Sequence, residues 1–216
     1  MPKVSEPEPL YFEDVPSPTR KGPLLILLHG RGADEGDLLP IVEYVARGWN
    51  AVSIRAPIEF PQGGYAWYHF LQDAGPEPRS LKEAVARLDA TLAIIEEAHA
   101  SVPHVMLGFS QGALMALTVA TLRRPRLAGV AALSGYLPDD ALLPAPLSRL
   151  KGLPVFQSHA RNDFILPFAW GDATRDRLTR AGADLTWLEH EAGHSIPLDA
   201  MDRLSTWLER TASKAR

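Results

Sequence analysis

The stretch from His104 to Arg123, HVMLGFSQGALMALTVATLR, leaves the fewest choices to a folding chain. An apolar run, Val105 to Phe109, reads as a buried strand, and a buried helix reads from about Gln111. Between them G-F-S-Q-G matches the nucleophile-elbow pattern G-x-S-x-G, a sharp strand-to-helix turn that lifts a serine Oγ clear of the backbone. Side chains at 108 and 112 would collide with the neighbouring strand and helix, which calls for glycine at both. The helix start behind Ser110 supplies free N–H groups and a positive dipole end. A plain glycine-rich turn with an exposed serine would carry the same letters. A base and an acid further down the chain would separate the two readings.

The rest of the chain alternates. Apolar runs at Leu24–Leu28, Ala51–Ile54, Val105–Phe109, Ala128–Leu133, Val155–Gln157 and Leu185–Leu188 suit strands buried on both faces of a parallel sheet. Helical patterns lie between them. Leu81, Val85, Leu88, Leu92 and Ile95 keep the spacing of one buried face, and further helices read near Asp37–Arg47, Phe168–Ala181 and Leu198–Leu208. This is the pattern of a single α/β domain: a mostly parallel twisted sheet, helices on both faces and ligand sites at the carboxyl ends of the strands. Residues 1–20 carry five prolines and read as a tail with at most an edge strand near Leu10–Val15, leaving 21–216 as the domain.

Composition removes several function classes. The 216 residues carry a net charge of −4 and no basic run, so no nucleic-acid partner is expected. Without cysteine, disulfides and thiolate chemistry are excluded. No histidine pair has H-x-x-x-H spacing on one helix, so no metal is expected. The longest apolar stretch is broken by polar residues and is no membrane span, and the start of the chain has no signal-peptide character, which makes the cytoplasm the expected location.

With the elbow, the acid and then the base should follow in chain order. The base should leave the sheet after the last strand, where the sequence is TWLEHEAGHSIP. His194 follows Gly193 in that loop and is free to swing towards Ser110, whereas His190 sits where the strand sets its direction. For the acid, Asp163 is flanked by Phe164 and Ile165, which exclude water. The rival Asp139–Asp140 follows Pro138 and suits a solvated turn. An oxyanion hole needs two amides. The glycines of HGRG let the Arg31 amide approach, and Gln111 offers the second. A G-R-G loop before a helix is also a phosphate cradle, but no G-x-G-x-x-G or G-K-[ST] accompanies it.

Taken together, LLHGRGADEGDLLP, RAPIEFPQGGYAWY, GFSQGALMA, LSGYLP, HARNDFILPFAWG and GHSIP resemble the phospholipase/carboxylesterase family of small serine hydrolases, the group that includes the acyl-protein thioesterases. The resemblance runs in the family's order from about residue 21. It implies an α/β-hydrolase fold without a separate lid domain, Ser110, Asp163 and His194 as a triad, and the Arg31 and Gln111 amides as the oxyanion hole. It also implies hydrolysis of carboxylic or thiol esters without a cofactor. One departure is Ala160, where the family has glycine; at positive φ an alanine would be strained.

The aromatic loop Ile58–Phe70 and the leucine-rich loop Leu137–Leu150, with Leu142, Leu143 and Leu147, are the expected walls of an acyl pocket. Trp67, Tyr68 and Ile165 are the candidate substrate-binding side chains. Without a lid, the site should take short to medium acyl chains. Arg31 either points its guanidinium into the mouth of the site or pairs with Asp34, Glu35 or Asp37. The expected partner is a small ester or thioester, with a homodimer left open. A perhydrolase, an acyltransferase and a non-catalytic binding protein of the same fold are the alternatives.

Overall fold

The computed structural model describes residues 7–19, 21–71, 75–123 and 126–215. The first six residues of the expected tail, and Arg20 at its end, lie outside them. In chain order the elements begin with β1 (Phe12–Val15), β2 (Leu24–Leu28), the short helix α1 (Leu39–Val45) and β3 (Asn50–Ile54). Two ribbons follow, β4 (Ile58–Glu59) with β5 (Tyr65–Ala66), and β6 (Phe70–Leu71) with β7 (Gly75–Pro76). Then come α2 (Pro78–Ala98), β8 (His104–Phe109), α3 (Gln111–Arg123), β9 (Leu127–Leu133), β10 (Pro154–Ala160), α4 (Phe168–Arg180), β11 (Asp184–His190) and α5 (Leu198–Lys214).

Seven strands form one sheet in the order β1-β3-β2-β8-β9-β10-β11. All neighbours are parallel except β1, which runs antiparallel to β3 at one edge. Alternate residues of one strand therefore feed two cores, because successive side chains leave opposite faces. Leu24, Ile26 and Leu28 pack with α2 and α3 on one face. Leu25 and Leu27 pack with α1 and α5 on the other. Helix α3 lies behind the centre of the sheet and is buried on every side from Gln111 to Thr121.

Several elements outrun their expected limits. Strand β10 runs on through Ser158, His159 and Ala160, all at most 2% exposed. Helix α2 begins at Pro78 because Glu77 caps it, its carboxylate accepting the amides of Arg79 and Ser80 at 3.0 and 2.7 Å. By contrast, α1 is confined to seven residues, shorter than the expected Asp37–Arg47, because Asp34 to Leu38 form turns instead. No helix among the described residues is long and apolar enough to cross a membrane.

Candidate active site

The site forms at the carboxyl ends of β2, β8, β9, β10 and β11. Ser110 joins β8 to α3 at φ 55°, one of two non-glycine residues at positive φ among those described. Its amide donates to Leu133 O at 2.9 Å, fastening the turn to β9. The neighbouring glycines are required by contact. A Cβ on Gly108 would stand 2.2 Å from Gly112 O, and one on Gly112 would stand 2.0 Å from Leu28 O.

His194 lies in the loop after β11, reached through Gly193 at φ 64°. Its Nε2 is 2.9 Å from Ser110 Oγ, and its Nδ1 is 2.7 Å from Asp163 Oδ2. The ring leans on Phe109, 5.0 Å between centroids. With Nδ1–H donating to the carboxylate, Nε2 is left as the acceptor for the serine proton. Asp163 has a fully buried side chain. Burial pushes its carboxyl up, but hydrogen bonds from His194 and from the Leu166 and Ile165 amides outweigh it and hold the group below its ordinary value. Those amides reach Oδ1 at 2.8 and 2.9 Å, so one oxygen is pinned by backbone and the other is left for the imidazole.

The rivals stand elsewhere. His190 accepts the Ala192 amide at 3.3 Å and makes no hydrogen bond to Ser110. Asp140 pairs with Arg177. Ala160 is not among the residues at positive φ; it ends β10 in extended backbone and carries no strain.

Gly30 sits against the serine: a Cβ there would be 3.5 Å from Ser110 Cβ. The Arg31 amide is therefore carried close to the elbow, and Gln111 follows the serine directly. Neither amide has an acceptor among the described residues. The loop is held by His29, whose Nε2 accepts the Ala56 amide at 3.1 Å, so the proton is on Nδ1 and donates to Gly30 O at 2.7 Å. Burial pushes this imidazole below its ordinary pKa and keeps it neutral. No helix starts directly behind G-R-G, which removes the phosphate cradle. The Arg31 guanidinium is exposed and lies over the Phe60 ring, 5.4 Å from its centroid. It pairs with none of Asp34, Glu35 and Asp37; Glu35 is taken by Arg55.

A cavity of about 60 Å³ opens beside Ser110, lined by Tyr68, Phe70, Gln111, Tyr136, Ile165 and Leu166, with Arg31 at its edge. Tyr68 and Ile165 are thus at the site. Trp67 is not: it is completely buried, its Nε1 donating to His29 O at 2.8 Å, and it supports the His29–Arg31 loop from beneath. Leu142, Leu143 and Leu147 also leave the wall and pack on the core. Their places are taken by Tyr136, Phe70 and Leu166. Tyr136 had a signal in LSGYLP, since it follows a strand at its carboxyl end.

Two polar clamps were invisible to sequence patterns. Asn162 Oδ1 accepts the Gly193 amide at 2.8 Å while its Nδ2 donates to Glu191 O at 2.7 Å, tying the Asp163 turn to the His194 loop. The Gln111 side chain accepts from Trp67 N at 3.0 Å and donates to Tyr68 O at 3.1 Å. Among the described residues no group of three or more His, Asp or Glu is placed to hold a metal.

A family model described as Phospholipase/Carboxylesterase matches residues 13–212. Acyl-protein thioesterase 1 of Yarrowia lipolytica is 26% identical over 216 residues, covering 90% of this chain and 94% of that protein. Lysophospholipase-like protein 1 of Mus musculus is 31% identical over 104 residues, 47% of this chain and 44% of its own length. The carboxylesterase of Bacillus cereus superposes with a TM-score of 0.83 at 22% identity, covering 94% of both chains, a likeness of fold.

Proposed function

The chain belongs to the phospholipase/carboxylesterase family of ester hydrolases, and on that premise we propose that it cleaves carboxylic and thiol esters through an acyl-enzyme on Ser110. The observation that carries this reading is the unbroken run of hydrogen bonds from Ser110 Oγ through His194 to Asp163. The family's description and the thioesterase name of the 26% identical relative support the substrate class.

In this mechanism Ser110 Oγ attacks the carbonyl carbon as His194 Nε2 takes its proton. Asp163 stays ionised and stabilises the imidazolium. Negative charge collects on the carbonyl oxygen, where the Arg31 and Gln111 amides receive it. The tetrahedral intermediate collapses, His194 returns the proton to the departing alcohol or thiol, and the acyl group remains on Ser110. Water then repeats the sequence and releases the acid. The left-handed turn and the unpaired amides are both present before substrate arrives, so little rearrangement is needed on binding.

The test is covalent and kinetic. A fluorophosphonate should label Ser110 alone, and Ser110→Ala should lower ester hydrolysis by about 10³- to 10⁶-fold with an unchanged circular dichroism spectrum. Labelling at Ser134 instead, or ordinary turnover by the Ser110→Ala variant, would sink the assignment.

A further inference from the structure

Of the residues that line the cavity beside Ser110, Arg31 alone carries a charge; the others, Tyr68, Phe70, Ile165 and Leu166 among them, are neutral. The chain leaves that charge without a counterion. Asp34 turns its carboxylate to the Gly36 amide at 2.9 Å, and Glu35 is taken by Arg55. No carboxylate among the described residues pairs with Arg31. The guanidinium is exposed and lies over the Phe60 ring. Its N–H donors lie in the guanidinium plane, so a ring against one face leaves the fork open to a second partner. Its charge is also felt in the cavity wall: burial pushes the Tyr68 phenol well above its ordinary value, and Arg31 pulls it the other way. The oxyanion hole uses only the Arg31 amide, which any residue but proline would supply. Ester hydrolysis by itself therefore does not account for the side chain.

The position of the cavity decides which end of the substrate the guanidinium meets. His194 takes no part in lining it. The leaving oxygen or sulfur must lie against the Nε2 that protonates it, so the cavity receives the acyl group. At roughly 10–15 Å³ per water-sized group, the cavity of about 60 Å³ has room for only a few non-hydrogen atoms. A short acyl chain ending in a carboxylate is of that size. Without a partner its charge would be costly beside the apolar wall and would repel the oxyanion forming nearby. A guanidinium at the cavity's edge offsets both effects, and its planar fork matches a carboxylate through two parallel hydrogen bonds.

We propose that Arg31 is a specificity-determining residue that selects acyl groups carrying a carboxylate, as in the half-esters of short dicarboxylic acids. The inference rests on Ser110 being the acylated serine.

The experiment compares kcat/KM for monoethyl succinate and ethyl succinamate, which differ only in a carboxylate against a neutral amide, in the wild type, Arg31→Lys and Arg31→Gln. Hydrolysis of p-nitrophenyl acetate reports on the esterase reading independently. At low ionic strength the wild type should prefer the succinate ester about tenfold, the scale of a charge-assisted pair partly open to water. The preference should shrink to a few-fold at ~0.5 M salt through screening. Any loss that Arg31→Gln causes through the oxyanion hole is common to both esters and cancels in their ratio, which should fall to one or below. Arg31→Lys keeps the charge but not the fork and should give an intermediate ratio. A wild type without preference, or a preference that salt does not weaken, overturns the inference while turnover of p-nitrophenyl acetate keeps the esterase reading. So does turnover of the acetate with neither succinyl ester accepted. A guanidinium that only reinforces the oxyanion would slow both esters alike in Arg31→Gln; the unchanged ratio would also overturn the inference. If none of the three esters is turned over, the esterase reading fails, and thermal shifts with the two intact succinyl esters decide the cavity separately. Stronger stabilisation by monoethyl succinate, lost in Arg31→Gln, upholds the proposal; equal stabilisation overturns it.

Discussion

Ser110 and Ser134 are the two non-glycine residues, among those described, held in the left-handed region, at φ 55° and 49°. They end adjacent strands, β8 and β9, and both turn the chain over the sheet edge where the site lies. A left-handed non-glycine residue stores about 1–3 kcal/mol of strain, held in place by its surroundings. At Ser110 those surroundings are the Leu133 carbonyl and the two glycines that let backbone touch backbone. Ser110→Gly should release part of that strain, raising stability by about 1 kcal/mol and the melting temperature by roughly 2–4 °C, while abolishing ester hydrolysis. A fall in melting temperature would mean that the Oγ bond to His194 outweighs the strain.

At the scale of elements, the site depends on loops held by side chains from other loops. The segment after β2 is anchored by Glu35, which is buried and bound by Arg55 through both Nε and a terminal nitrogen. Arg55 is itself stacked on Tyr11 and Tyr65, so one guanidinium joins the chain before β1, the β4–β5 ribbon and the loop after β2. The Arg55 hydrogen bond holds the Glu35 carboxyl below its ordinary 4.5. A depressed folded pKa stabilises above the unfolded value and loses that contribution as pH falls through the folded one. Glu35→Gln should therefore cost about 2 kcal/mol at pH 7, between exposed and fully buried pairs, and the gap in melting temperature should close towards pH 3. A gap that stays constant with pH would assign the effect to packing.

For the whole molecule, the decisive feature is a sheet buried on both faces. The face packed by α2 and α3 carries the elbow, while no residue of the core packed by α1 and α5 lines the cavity. Leu204 of α5 is fully buried in that second core. Leu204→Ala should cost about 2–5 kcal/mol through lost burial and the cavity left behind, lowering the melting temperature by roughly 5–15 °C. Its kcat/KM below the transition should stay within about threefold of the wild type, since neither Leu204 nor the rest of its core lines the cavity; a larger loss would show that the two faces are coupled.

The sequence by itself determined the architecture and the chain order of the candidate serine, acid and base. Continuous apolar runs such as LLILL, short and bounded by Pro23 and the glycines of HGRG, suit strands covered on both faces, and G-F-S-Q-G between a strand and an apolar helix leaves one sharp turn. Both signals are local, because strand and helix periodicity and glycine geometry act over a few neighbours. Tertiary structure alone decided which side chains surround the serine. Trp67 and Tyr68 are adjacent in one aromatic loop, yet one supports the His29 carbonyl from the core and the other lines the cavity. Residue type could not separate them, because the loop's direction is set by Gln111 from 43 and 44 positions away. Nor does any local pattern mark Asn162, which ties the Asp163 turn to the His194 loop across 31 residues. Such contacts depend on where the sheet brings its loop ends, and that is fixed only when all the parallel strands have taken their register.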